Sequence, residues 1–288
     1  MSDDRLSERD KAGLNPVAEG RSNPVSTAAQ TRSPREHIVA ALRDARPVER
    51  IGYLVGAALV LAGVAHVAVF LINGGPWYGP VSWRKPITFG LSFGLSLISV
   101  AWVASYLRLT ERSRTVLLGV FATDCVLEVT GITLQAWRGV PSHLNTETAF
   151  DTVVAFGLAL GGAVLVVVLG TLAVVALRGR VDGAPSMRLA LRAGFGLLAT
   201  GLLAGAAMIA RGEILINGGD TQAGYDHAGF LKAFHGVTLH AVLVLLALAW
   251  LLARTRLDEV ARTRVVAWAV TTYVAAAAAI LVVSIVMV

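Results

Sequence analysis

Seven continuous apolar stretches divide this 288-residue chain, at 51–72, 87–107, 115–136, 149–177, 188–210, 231–253 and 265–287. A helix of about 20 residues crosses the hydrocarbon core of a bilayer, and each stretch reaches that length. Inside hydrocarbon every backbone N–H and C=O must be paired within the protein, so only helices and closed barrels can span. The stretches are apolar throughout rather than alternating, and they are too long for barrel strands. The sequence therefore predicts an all-α membrane protein, a seven-transmembrane-helix bundle. The fourth stretch is long enough to require tilt or protrusion. Only 15% of the residues are charged, against roughly a quarter in soluble domains.

The loops predict an orientation. Arg108, Arg112 and Arg114 follow the second span, Arg178, Arg180, Arg188 and Arg192 surround the fourth connection, and Arg254, Arg256, Arg262 and Arg264 follow the sixth span. The alternate loops hold only Arg84 and Lys85, then Arg138, then Arg211 and Lys232. The positive-inside rule puts the first set and the N-terminus in the cytoplasm and the C-terminus outside. The formal net charge of +6 is then charge at helix ends. It implies a lipid bilayer as partner and no nucleic acid. Residues 1–46 are polar and lack the apolar segment of a signal peptide. They are expected to form a disordered cytoplasmic tail before a transmembrane domain over 47–288, with an amphipathic helix over 35–46 lying on the membrane surface. The abundance of Ala, Val, Leu, Gly and Arg suggests a GC-rich bacterial genome, and so a multi-pass protein of the cell inner membrane. The single cysteine, Cys125, lies within the third span. It excludes an intrachain disulfide and any Cys-based zinc site.

Two segments align at an offset of 148 residues. Ala101-Trp102 through Arg114-Thr115 matches Ala249-Trp250 through Arg262-Thr263, with seven of fifteen positions identical. Ile72-Asn73-Gly74-Gly75 also recurs as Ile216-Asn217-Gly218-Gly219. Apolar sequence aligns with itself readily, but the Arg, Glu and Arg-Thr matches fall in loops. Spans 1–3 then correspond to spans 5–7, with the fourth as connector. This is a 3+1+3 parallel internal repeat, as in sugar-exporting SWEET-type transporters.

Ionisable residues at membrane depth are costly, and they normally face the bundle interior, pair, or mark a pathway. On the third span, Asp124, Glu128 and Gln135 fall within about 40° of one another around the helix, with Gly131 in the same stripe. Counting about 1.5 Å per residue from flanking charges puts Asp124 roughly 3 Å to the cytoplasmic side of the midplane. Glu128, His240 on the sixth span and His66 on the first fall roughly 3–7 Å to the outer side, in one layer. Three readings follow: a substrate or proton pathway, a haem or metal site, or interhelical hydrogen bonds that fix packing. His235 and His240, five apart, are roughly 140° apart on their helix and do not form a same-face chelate.

The outer loops carry the more distinctive residues. The first combines Trp77, Tyr78 and Trp83 with Arg84, Lys85 and Pro86, an interfacial aromatic belt beside cations suited to an anion or lipid headgroup. In the second, Asn145 or Thr146 is expected to cap the fourth helix, which favours neutral His143. The third, Arg211 to Phe230, is expected to be the longest loop, with Glu213, Asp220, Asp226 and His227 as a lid or solvated surface. The blocks Trp83-Arg84-Lys85-Pro86-Ile-Thr-Phe89, Gln135-Ala-Trp-Arg138-Gly139-Val-Pro-Ser142-His143-Leu-Asn145 and Phe234-His235-Gly236-Val-Thr-Leu-His240 resemble recurring blocks of a bacterial family of multi-pass integral membrane proteins with no assigned function. The resemblance spans the first six helices. It implies that Lys85, Arg138, His143, His235 and His240 are family features, and it brings no activity. The chain also shares its orientation with seven-pass hydrolases such as ceramidases, but His235-x-x-x-x-His240 departs from their His-x-x-x-His zinc pair.

The leading expectation is small-solute binding or proton-coupled transport through an outward-facing polar interior. Asp124 and Glu128 would be the proton-coupling or cation-binding groups. Gln135, Arg138, His143, Lys85 and His235 would line the pathway and its outer mouth. The alternative is a haem- or metal-binding membrane redox protein or hydrolase using His66, His240 and Glu128, with haem or a divalent metal as cofactor.

Overall fold

The structure, a computed structural model, describes residues 42–179 and 181–286. Its helices are α1 (Pro47–Asn73), α2 (Arg84–Ala104), α3 (Glu111–Arg138), α4 (Ala149–Arg178), α5 (Pro185–Asn217), α6 (Thr221–His227), α7 (Lys232–Leu252) and α8 (Glu259–Val286). All but the short α6 are long and apolar enough to cross a membrane, so this is a seven-span, multi-pass architecture. Most of the expected N-terminal tail, and most of the helix expected over 35–46, lies outside the described residues.

Helices α1, α3 and α5 outrun their apolar stretches at both ends, with polar residues holding several helix ends in the bundle. Pro47 opens α1 at a position that needs no N–H, and Glu49 Oε2 accepts from Arg46 N at 3.0 Å. Thr110 starts α3 by accepting from Ser113 N at 3.1 Å. Gly139, at φ 70°, ends it as Val140 N reaches back to Gln135 O at 3.1 Å. Two expectations need correction. The cap of α4 is Thr148, which accepts from Asp151 N at 3.1 Å, because Asn145 is occupied in folding the loop onto Glu147 N at 3.1 Å. The segment from Arg211 to Phe230 is not one loop. The backbone of α5 continues to Asn217, and Asp220 then caps α6 through Ala223 N at 2.9 Å.

Helices α1, α2 and α3 pack on one another, as do α5, α7 and α8, while α4 bridges α3 to α5. In lipid, apolar surface gives little drive to associate, so close packing through small residues takes its place. A Cβ on Gly56 of α1 would lie 2.7 Å from Gly94 O of α2, and one on Gly90 of α2 would lie 2.8 Å from Gly63 Cα. The α5–α7 crossing repeats this: a Cβ on Gly194 would meet Val242 Cα at 2.6 Å, and one on Gly201 would meet Thr238 Oγ1 at 2.7 Å. Large apolar side chains such as Leu61, Ile72, Phe156 and Trp268 point outward, as a lipid-facing surface requires.

One end of the bundle is held by a buried guanidinium. Arg114 of α3 pairs with Glu49 of α1 at 3.1 Å and donates to Ala104 O and Leu107 O at the end of α2. Arg262 of α8 likewise donates to Thr255 O at 3.0 Å, beyond the end of α7. Glu259 accepts from Ser186 N at the start of α5 at 2.7 Å. At the same end, Arg108 binds Asp182 at 2.8 Å, which holds the Asp182 carboxyl below its usual range.

Candidate functional site

The polar stripe of α3 faces α4. Asp124 and Glu128 are buried, with 6% and 3% of their surface exposed. Both aim at Gly161 of α4, where a Cβ would lie 2.8 Å from Asp124 Oδ1 and collide with Glu128 Oε1. The missing side chain is therefore the space the carboxyl groups occupy. Among the described residues, Asp124 Oδ2 and Glu128 Oε1 have no hydrogen-bond partner, and neither carboxyl group forms an ion pair. One turn further along, Leu158 fills the space beside Gly131.

The stripe ends in a closed clasp. Gln135, fully buried, donates to Asp151 Oδ1 at 2.9 Å. Arg138 donates to Asp151 and to Gln135, and Thr148 Oγ1 donates to Asp151 Oδ2 at 2.6 Å. The Arg138 guanidinium also covers the Phe150 ring at 4.7 Å. Here a carboxylate has the partners that Asp124 and Glu128 lack. Asp151 was not singled out from sequence, although Thr148-x-x-Asp151 is the spacing of a helix N-cap with an acid in the first turn.

The other candidates occupy separate places. His66 donates from Nδ1 to Ala62 O at 2.7 Å, so its Nε2 is the acceptor for Trp137 Nε1 at 3.1 Å. With Trp83 it forms an aromatic cluster joining α1 to α3. His240 donates from Nδ1 to Gly236 O at 2.7 Å, leaving Nε2 facing Ser92 Oγ of α2 at 3.5 Å. His235 donates from Nδ1 to Gly201 O of α5 at 2.7 Å. Lys85 Nζ donates to Pro80 O at 2.6 Å. His143 lies by Phe89, with Nδ1 2.9 Å from Ser142 Oγ. Burial, then the nearby Lys85 charge, lowers its pKa to about 4, so the imidazole is neutral at ordinary pH.

Glu128, His66 and His240 share a depth by sequence but have different neighbours in space. The third and sixth spans do not meet along a common face: α3 packs on α1, α2 and α4, and α7 on α2, α5 and α8. Among the described residues no three His, Cys, Asp or Glu side chains converge as a ligand set. The donors present do not fit a haem or metal centre built on His66, His240 and Glu128, since both His66 nitrogens are already engaged.

Two contacts between the two triads were not visible in the sequence. Ser92 meets His240, and Trp102 meets Trp250 edge-on with ring centroids 6.3 Å apart. Comparison with protein-family models, curated proteins and solved structures gives no match.

Proposed function

We propose that this protein is a proton-coupled carrier of a small solute, with Asp124 and Glu128 as its proton-binding groups. The observation that carries the reading is the pair of buried carboxyl groups packed into the space at Gly161, each with an oxygen that has no hydrogen-bond partner among the described residues. An acidic residue at the centre of a membrane helix costs about 2.5–3.5 kcal/mol on insertion scales. Two close carboxylates in such a setting do not both ionise. A proton held between them relieves both penalties, and its loss leaves a charge that must be solvated or paired. Protonation thus changes how α3 sits on α4. Such coupling lets a proton gradient drive a conformational step.

The architecture supports a carrier of two like halves. Helices α2 and α7 have bounds 148 residues apart at both ends, and α3 and α8 begin 148 residues apart. The glycines of α1 and their counterparts 138 residues later in α5 meet α2 and α7 at positions 148 apart: Gly56 at Gly94 and Gly194 at Val242, Gly63 at Gly90 and Gly201 at Thr238. Arg114 and Arg262, also 148 apart, grip equivalent carbonyls of Leu107 and Thr255. These correspondences favour a 3+1+3 parallel duplication. Secondary transporters built this way move one half against the other. The arginines of the α2–α3, α4–α5 and α7–α8 connections favour a cytoplasmic N-terminus in a bacterial inner membrane.

The test is proton movement in reconstituted vesicles containing a pH-sensitive dye and challenged with a panel of small polar solutes. The expected result is solute-driven proton flux that Glu128→Gln and Asp124→Asn abolish while the protein stays folded. Equal flux in those variants would remove the carboxyl groups from the mechanism.

A further inference from the structure

We infer that the solute-binding position lies on the seam between α2 and α7, at Ser92 and His240, apart from the proton-binding pair. The inference rests on the carrier reading above. Ser92 and His240 are 148 residues apart, as are Trp102 and Trp250, and in both pairs the equivalent residues touch each other. In a two-fold arrangement a position contacts its own equivalent only beside the axis. The axis relating the halves therefore runs along this seam, where solute sites of repeat-built carriers belong, near the bilayer midplane.

Depth agrees. Ser92 and His240 each lie two residues from the middle of a 21-residue helix, about 3 Å from centre at ~1.5 Å per residue. The hydrogen bonding of Ser92 also differs from that of three other hydroxyls within the spans. Ser99, Thr171 and Thr271 turn back onto the carbonyl four residues earlier, at 2.6, 2.7 and 3.0 Å. Ser92 Oγ instead faces His240 Nε2 at a stretched 3.5 Å. The imidazole is fixed as an acceptor because its Nδ1 donates to Gly236 O. Phe89 and Phe93, stacked at 5.6 Å, flank Ser92 on the same helix.

An acceptor nitrogen, a hydroxyl and aromatic rings, with no acid or fixed cation in the pair, suit a small uncharged solute bearing hydrogen-bond donors. Trp102 and Trp250 close the seam at the Arg114 end. Within each half, α1–α2 and α5–α7 cross at backbone contact, whereas the seam is joined by side chains, so it is the interface free to open.

Cysteine accessibility tests this without knowing the solute. In a Cys125→Ala background, Ser92→Cys and His240→Cys are treated in reconstituted vesicles with a membrane-impermeant methanethiosulfonate. Ser99→Cys, on the same helix but buried, and Tyr78→Cys, in an exposed loop, are the controls. The expected result is modification at positions 92, 240 and 78 and none at 99. Modification at 78 alone would overturn the proposal, because the seam would then be a dry packing contact. Repeating the labelling with Glu128→Gln separates the two proposals: accessibility belongs to the seam, and loss of proton flux belongs to the carboxyl pair.

Discussion

At Gly161 a single hydrogen atom decides whether two carboxyl groups fit between α3 and α4. Gly161→Ala drives a methyl into Glu128, and strain of this kind costs about 1–3 kcal/mol. Gly162, with nothing within 4 Å of its Cβ position, accepts alanine with a change of about 0.5 kcal/mol or less. Thermal unfolding in detergent should separate the two. His143 offers a second check. Its folded pKa of about 4 lies below the ordinary imidazole value of 6.5, so the unfolded chain binds the extra proton between those values. Stability then falls as pH drops through that window and levels off below it. A ring-resonance titration of His143 should give a midpoint near 4, and a midpoint near 6.5 would refute its burial. The common face of Asp124, Glu128 and Gln135 was legible in the sequence, because helical period fixes angles around one axis. The opposing helix was not, because nothing in that period says which neighbour the face meets.

The helix pairs α1–α2 and α5–α7 depend on residues too small to keep backbones apart. Gly94→Leu must part α1 from α2, since even a Cβ there would lie 2.8 Å from Val60 N. The expected result is a markedly lower unfolding temperature, while Gly119→Leu, which meets open space, leaves it nearly unchanged. The Arg114–Glu49 pair tests another kind of contact. Both side chains are 2–3% exposed, and removing one partner of a buried pair typically costs about 3–5 kcal/mol. Glu49→Gln should therefore destabilise strongly, and adding Arg114→Met should recover part of the loss. Helix existence was readable from apolar length alone. Helix ends were not, because capping by Thr148 rather than Asn145 depends on loop geometry that hydropathy does not encode.

For the whole molecule, the proposed orientation places Pro47 on the cytoplasmic side and Val286 on the outer side of the membrane. A reporter active only outside the cytoplasm should work when fused after Val286 and fail when fused before Pro47, and the reverse result would overturn the proposed orientation. The loop matches at an offset of 148 residues hinted at two halves. They did not reveal that residues 148 apart meet, as Ser92 and His240 do, because contact between helices is a property of the assembled bundle. The halves supply the moving parts of the proposed carrier, and the α3–α4 interface supplies its proton. Infrared difference spectroscopy across a pH step tests that proton most directly. The expected result is a carboxylic-acid C=O band, present in the wild-type protein near neutral pH, that disappears in the Asp124→Asn, Glu128→Gln double variant. A spectrum without that band, or one in which the double variant retains it, would show that Asp124 and Glu128 do not hold the proton.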